Sequence, residues 1–108
     1  SAENLILPAT TLKQYCYADM FNACERLTTA PVLPATTLVN SCYYGMFMGC
    51  TSLNYIKCLA TSGFNTYQCT GYWVQGVSST GTFVKDANTT WTTGVNGIPS
   101  GWTVIDNS

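Results

Sequence analysis

A chain of 108 residues is long enough for one small hydrophobic core and too short for two, which excludes a catalytic domain joined to a separate regulatory one. Only 8% of the residues are charged, far below the roughly 25% usual in soluble domains, and 17 Thr, 8 Ser and 8 Asn supply the polarity instead. Net charge −1 and the absence of histidine leave no basic field for a nucleic-acid backbone or anionic lipid, and no Ser-His-Asp, Cys-His or His-metal chemistry.

In chain order, Ser1-Ala2-Glu3-Asn4 lacks the basic start of a signal peptide, and no stretch approaches the roughly 18 apolar residues of a transmembrane helix. The chain reads as mature or cut from something longer, and its Thr-rich, Cys-containing, weakly charged composition suits an exported protein. Asn4 to Leu7 enters like the end of a strand from a preceding unit, so further repeats are expected N-terminal to it. Leu7-Pro8-Ala9-Thr10-Thr11-Leu12 then recurs as Leu33-Pro34-Ala35-Thr36-Thr37-Leu38, with Cys16, Tyr17, Met20, Phe21, Cys24 and Leu27 recurring as Cys42, Tyr43, Met46, Phe47, Cys50 and Leu53. Every offset is 26, and 12 of 26 positions are identical. A third, worn copy carries one inserted residue, so that Cys69 answers Cys42, Trp73-Val74 answers Met46-Phe47 and Gly76 answers Gly49.

Within each unit the Cys-Tyr-x-x-Met-Phe-x-x-Cys spacing predicts a short helix of about two turns, with Cys16, Tyr17, Met20, Phe21 and Cys24 facing inward and Phe47 fully buried in the second unit. Leu27-x-x-Ala30-x-Val32 and Leu53-x-x-Ile56-x-Cys58 predict strands that alternate core-facing and outward side chains, and Thr80 to Lys85 occupies the same slot in the third unit. The Leu-Pro-Ala-Thr-Thr-Leu element turns the chain between them. Residues 86–108 match no repeat; turn residues with Trp91, Ile98 and Trp102, and a short strand candidate from Trp102 to Ile105, predict a cap over the last open face. The expectation is one α/β domain over 1–108: a leucine-rich repeat solenoid of about two and a half 26-residue units over 5–85, and a β-rich C-terminal cap over 86–108.

The Met-Phe-x-x-Cys-x-x-Leu core followed by an Ile/Leu-Pro turn resembles the BspA-like leucine-rich repeats of bacterial surface proteins, over residues 7 to about 85. Trp73 and Val77 depart from the pattern in the third unit. The resemblance implies display on a bacterial cell surface and adhesion or host-protein binding.

Cysteines 16, 24, 42, 50, 58 and 69 form no Cys-x-x-Cys pair and do not match zinc-ribbon spacing, so they are core thiols first, with one or more disulfides the other reading and no metal site. Asp19 and Glu25, six apart on the predicted helix, fall on opposite sides, and their counterparts are Gly45 and Thr51; they are solvated charges, not a catalytic pair. No enzymatic function and no cofactor is expected. Asn88-Thr89-Thr90 is a glycosylation sequon, with meaning only in a eukaryotic secretory pathway.

Tyr17 and Tyr43 recur and belong to the core, whereas Tyr15, Tyr44, Tyr55, Tyr67 and Tyr72 do not recur, so the architecture does not require them. Tyr55 and Lys57 flank the inward Ile56, beside Thr29 and Pro31 from the previous unit and Thr82 and Val84 from the next. The expected ligand-binding residues are Thr29, Tyr55, Lys57 and Thr82, a patch suited to a sugar ring or a protein loop. The functional expectation is a non-enzymatic cell-surface adhesion module that contacts a host protein or glycan. The rival expectation is a purely architectural stalk or capping unit of a larger surface protein.

Overall fold

The apolar pairs of the expected helices recur at every fourth residue, and in the computed structural model, which describes residues 17–64 and 66–107, that interval builds consecutive tight turns. From Cys42 to Cys50 each even-numbered amide donates to the carbonyl three residues back, as in Tyr44 to Ser41 and Met46 to Tyr43, at 3.0–3.3 Å. The odd-numbered amides leave the turn and donate sideways to the next coil: Ser41 to Tyr67, Tyr43 to Cys69, Gly45 to Gly71, Phe47 to Trp73 and Gly49 to Gln75, at 2.8–2.9 Å. Tyr17, Asp19, Phe21 and Ala23 reach Cys42, Tyr44, Met46 and Met48 in the same way. Two hydrogen-bonding directions therefore alternate along one segment, and every amide in it is satisfied.

The predicted leucine-rich repeat solenoid is not formed. Among the described residues there is no helix, and the regular structure is three short parallel strands in a compact body of 28 × 25 × 25 Å. The reason lies in the period. A helix advances about 100° per residue, so side chains four apart drift about 40° around it at each step. The turns keep them on one side by placing every fourth residue at positive φ: Ser41, Gly45 and Gly49 in one coil, Gln68, Tyr72 and Gly76 in the next. Glycines at 45 and 49 would each weaken a helix interior by about 1 kcal/mol, whereas they suit this backbone.

The strands are β1 (Tyr55–Cys58), β2 (Thr82–Asp86) and β3 (Thr103–Asn107), in the order β1-β2-β3. Tyr55 stands opposite Thr82, and Thr82 opposite Thr103. The segment before β1 pairs with it through isolated bridges, Thr29 to Tyr55 and Leu33 to Cys58. Its register shifts by one residue between those two contacts, and Pro31, which has no amide to donate, lies in the shifted stretch. The shift corrects the expected strand Leu27–Val32: Leu33 is fully buried in place of Val32, which is 44% exposed.

Inside the coils, Cys42, Tyr43, Met46, Phe47, Cys50, Leu53, Ile56 and Cys58 are all fully buried. Their counterparts in the first described coil are less covered. Met20 is 44% exposed and Cys24 is exposed, contrary to the expected inward face, because among the described residues that coil packs against the second one alone. Cys16, Tyr15 and the first Leu-Pro-Ala-Thr-Thr-Leu element lie outside the described residues, as does the expected strand end at Asn4 to Leu7. Aromatic rings run through the stack: Tyr17 on Tyr43, Tyr43 on Trp73, and Trp73 on Trp91, with centroids 5.6–6.1 Å apart and planes within 15°. Trp91 is partly buried against this column, while Ile98 and Trp102 are 5% and 7% exposed.

Cys50 and Cys58 are fully buried thiols, and burial pushes them up, Cys50 to about 11 and Cys58 to about 12 from an ordinary 9.0. Above about pH 9 an unfolded chain releases protons that the folded chain keeps, so this stability is complete below that pH and is lost as pH rises toward the folded values. The urea midpoint at about pH 10 is expected to be lower than at about pH 8, by about 1 kcal/mol for Cys58. A midpoint flat across that interval would mean that solvent reaches both sulfurs.

Candidate ligand-binding surface

Strand alternation sets the surface. In β1, Ile56 and Cys58 are buried, so Tyr55 and Lys57 emerge on the other side, both half-buried. Thr29, Tyr55, Thr82 and Thr103 lie side by side through the Thr29 bridge and the two strand registers, at neighbour spacings of about 4.8 Å. Ligands crossing the strands would meet three hydroxyls and one phenol in line.

A shallow groove of about 510 Å³ runs along this row, lined by Thr29, Asn54, Tyr55, Thr80, Gly81 and Thr82. Backbone hydrogen bonds hold its floor: the Asn54 amide donates to the Thr28 carbonyl at 2.9 Å, the Thr82 amide to the Asn54 carbonyl at 2.9 Å, and the Thr103 amide to the Gly81 carbonyl at 2.8 Å. Gly81 is required by crowding, since a Cβ there would lie 2.6 Å from Trp102 Cε2 and 2.7 Å from the Asn54 carbonyl oxygen. Trp102 is itself anchored by its indole N–H, which donates to the Ser78 carbonyl at 2.8 Å. The groove is therefore preformed, with neutral polar groups around one aromatic ring.

The structure brings Thr29, Tyr55 and Thr82 together and sets Lys57 apart. Lys57 does not line the groove; it sits two residues along β1, about 7 Å away by strand rise. The patch expected around it is corrected as well, because Pro31 is fully buried and Val84 is 8% exposed. Val84 is in register with Lys57 on one side and Ile105 on the other, so flanking side chains cover it, and the register shift around Pro31 takes that residue off the surface. Asn54, Thr80, Gly81 and Thr103 were not anticipated. The first three precede their strands, where the alternation rule gives no facing, and Thr103 belongs to a segment without a repeat partner.

Charged groups lie elsewhere. Lys85 pairs with Asp106 at 2.8 Å and donates to the Thr89 carbonyl at 2.9 Å, so its ammonium is already engaged. Asp19, expected on a helix, sits in a turn and accepts from Asn22 Nδ2 at 3.3 Å. Among the described residues, no group of three Cys, Asp or Glu side chains is placed to hold a metal ion, and no helix is long and apolar enough to cross a membrane. The surface can stack and hydrogen-bond, and it contains no paired acid and base. No family model, no curated protein and no solved structure matches this chain.

Proposed function

We propose that this chain is a non-enzymatic binding module of a bacterial cell-surface protein, and that it contacts a host protein or glycan through the row Thr29–Tyr55–Thr82 that crosses the strands. The observation that carries the reading is the continuous line of neutral hydroxyl groups on either side of one tyrosine, set on a floor fixed by backbone hydrogen bonds. A half-buried tyrosine offers contact area and a polar tip at small entropic cost, which suits it as an anchor. Weak charge and neutral polarity fit an exported surface, as does the resemblance of the repeats to BspA-like sequences.

An architectural unit that displays another domain is the second reading. It draws on β3, whose five residues are all exposed and which lies at the edge of the sheet. An edge strand of that kind can receive a further strand from a neighbouring element.

The test is a glycan and matrix-protein array probed with this chain, followed by titration of the strongest hit. Replacing Tyr55 and Lys57 together by alanine is expected to weaken that binding by about 1–3 kcal/mol, the range of an aromatic anchor, while thermal stability stays nearly constant. Binding that ignores both changes would remove the strand row as the contact surface, and an array without hits would favour the architectural unit.

A further inference from the structure

A second concavity of about 290 Å³ shares no lining residue with the strand groove. It opens beside the turns of the third coil, between them and the segment around Asn96, and its wall includes Phe64, Thr66, Gln68, Tyr72, Thr92 and Asn96. Among the described residues, none that lines it is charged.

Three observations single this place out. Gln68 and Tyr72 hold φ of +47° and +52°, at the positions that Ser41 and Gly45 occupy one coil earlier. Among the described residues, five besides glycine have positive φ, and the two with the largest side chains, Gln68 and Tyr72, both stand in this wall. Left-handed backbone disfavours bulky side chains, so packing alone would be better served by glycine or asparagine at position 72. Next, the Tyr72 ring is 42% exposed yet held in place, edge-on to Tyr44 at 6.1 Å and 83°. Its amide is fixed too, donating to Asn96 Oδ1 at 2.7 Å. Finally, Asn96 Oδ1 is engaged by that bond and the Thr70 hydroxyl is taken by the Asn96 carbonyl at 2.7 Å, while among the described residues no hydrogen bond engages the exposed side-chain amide nitrogens of Asn96 and Gln68.

A fixed, half-exposed phenol ring beside two primary amides and no charge matches a ligand with one apolar face and a rim of hydroxyls. We propose that this concavity is a subsite for a single neutral pyranose, which lays its C–H face on Tyr72 and takes hydrogen bonds from Gln68 and Asn96. The volume suits one ring, and among the described residues of the wall a nucleotide or anionic sugar finds no cation to meet its charge. The inference is independent of the strand groove.

The probes are methyl glycosides of glucose, galactose, mannose and N-acetylglucosamine, with sialic acid as the charged comparison, titrated into the isotope-labelled chain at millimolar concentration. At least one neutral glycoside is expected to shift the amide signals of Gln68, Tyr72 and Asn96 together, and sialic acid is expected to shift none. Tyr72→Gly is expected to weaken that binding at least tenfold while the thermal midpoint stays level or rises, because release of the left-handed backbone offsets the lost contact with Tyr44. Should the glycine loosen the coil, Tyr72→Asn tests the same point with a side chain that tolerates this backbone. The proposal is overturned if no neutral glycoside shifts these signals, if shifts fall on Tyr55 and Thr82 instead, if sialic acid binds as well as the neutral sugars, or if the variants bind unchanged.

Discussion

Replacing Trp73 by alanine is expected to abolish the cooperative unfolding transition at room temperature. The indole is fully buried and stands where the aromatic column meets the sheet: stacked on Tyr43 at 5.9 Å and on Trp91 at 5.6 Å, and within 6.1 Å of Phe47 and Phe83. Truncating a buried tryptophan costs about 3–5 kcal/mol when its surroundings cannot close over the space. Three of these neighbours, Tyr43, Phe47 and Phe83, are tied through their backbones to adjacent coils or strands, which resists closing over the space. The variant also strands the Gly97 carbonyl, which accepts the indole N–H at 2.8 Å, adding about 1–3 kcal/mol for a buried acceptor left without a donor. Domains of this size hold about 5–15 kcal/mol in total, so the combined loss approaches or exceeds what is there. Urea titration followed by near-ultraviolet circular dichroism reads it directly. Trp73→Phe keeps a ring in the column and should retain a transition; an alanine variant that loses less than about 1 kcal/mol would show that the column is not the core.

The repeat was legible because identical residues at a fixed offset survive any error about local structure. The inserted residue of the third unit is visible in the register: Tyr17 donates 25 residues ahead to Cys42, Tyr43 donates 26 ahead to Cys69, and the positive-φ positions 41, 45 and 49 reappear at 68, 72 and 76. What failed was the translation of period into helix. Intervals of four and of 3.6 differ by one residue only after about nine, and Tyr17 to Cys24 is too short for them to separate. Gly45 and Gly49, four apart in the middle of the supposed helix, carried the contrary signal.

The row on the strand face followed from alternation, a local property that needs no knowledge of the fold. Thr29, Tyr55 and Thr82 were therefore found beside one another, whereas the Lys57 neighbourhood was not, since Pro31 and the register slip around it act between coils. Gly81 and Asn54 lie just before strands; Gly81 takes its position from its contact with Trp102, and Asn54 from backbone hydrogen bonds to Thr28 and Thr82, each partner more than 20 residues away in the sequence. No window of sequence contains that relation. The concavity beside Tyr72 was legible only as a tyrosine without a repeat counterpart; its significance came from a backbone angle.

The closeness of neighbouring coils can itself be measured at Gly63. The Cα of this residue follows Ser62, which bridges Thr37, and its φ is +86°, a conformation that L side chains rarely adopt. A methyl group there would fall onto the backbone of Leu38, overlapping its carbonyl oxygen and lying 2.7 Å from its nitrogen and 2.8 Å from its carbonyl carbon. Backbone cannot swing aside as a flexible side chain can, and the Leu38 amide is committed to the Ser62 carbonyl at 3.0 Å. Gly63→Ala therefore meets two penalties, about 1–2 kcal/mol for the left-handed backbone and about 1–3 kcal/mol for forcing the coils apart. Gly76 separates them. Its φ is +82°, nearly the same, but the nearest atom to an added Cβ is the Gly49 nitrogen at an ordinary 3.5 Å. Gly76→Ala should lose only the backbone part, so the difference between the two urea midpoints gives the cost of separating the coils. Equal losses would mean that the coils are looser at Leu38 than these distances require, and the stacking register carried from Thr37 into the third coil would have to shift with them.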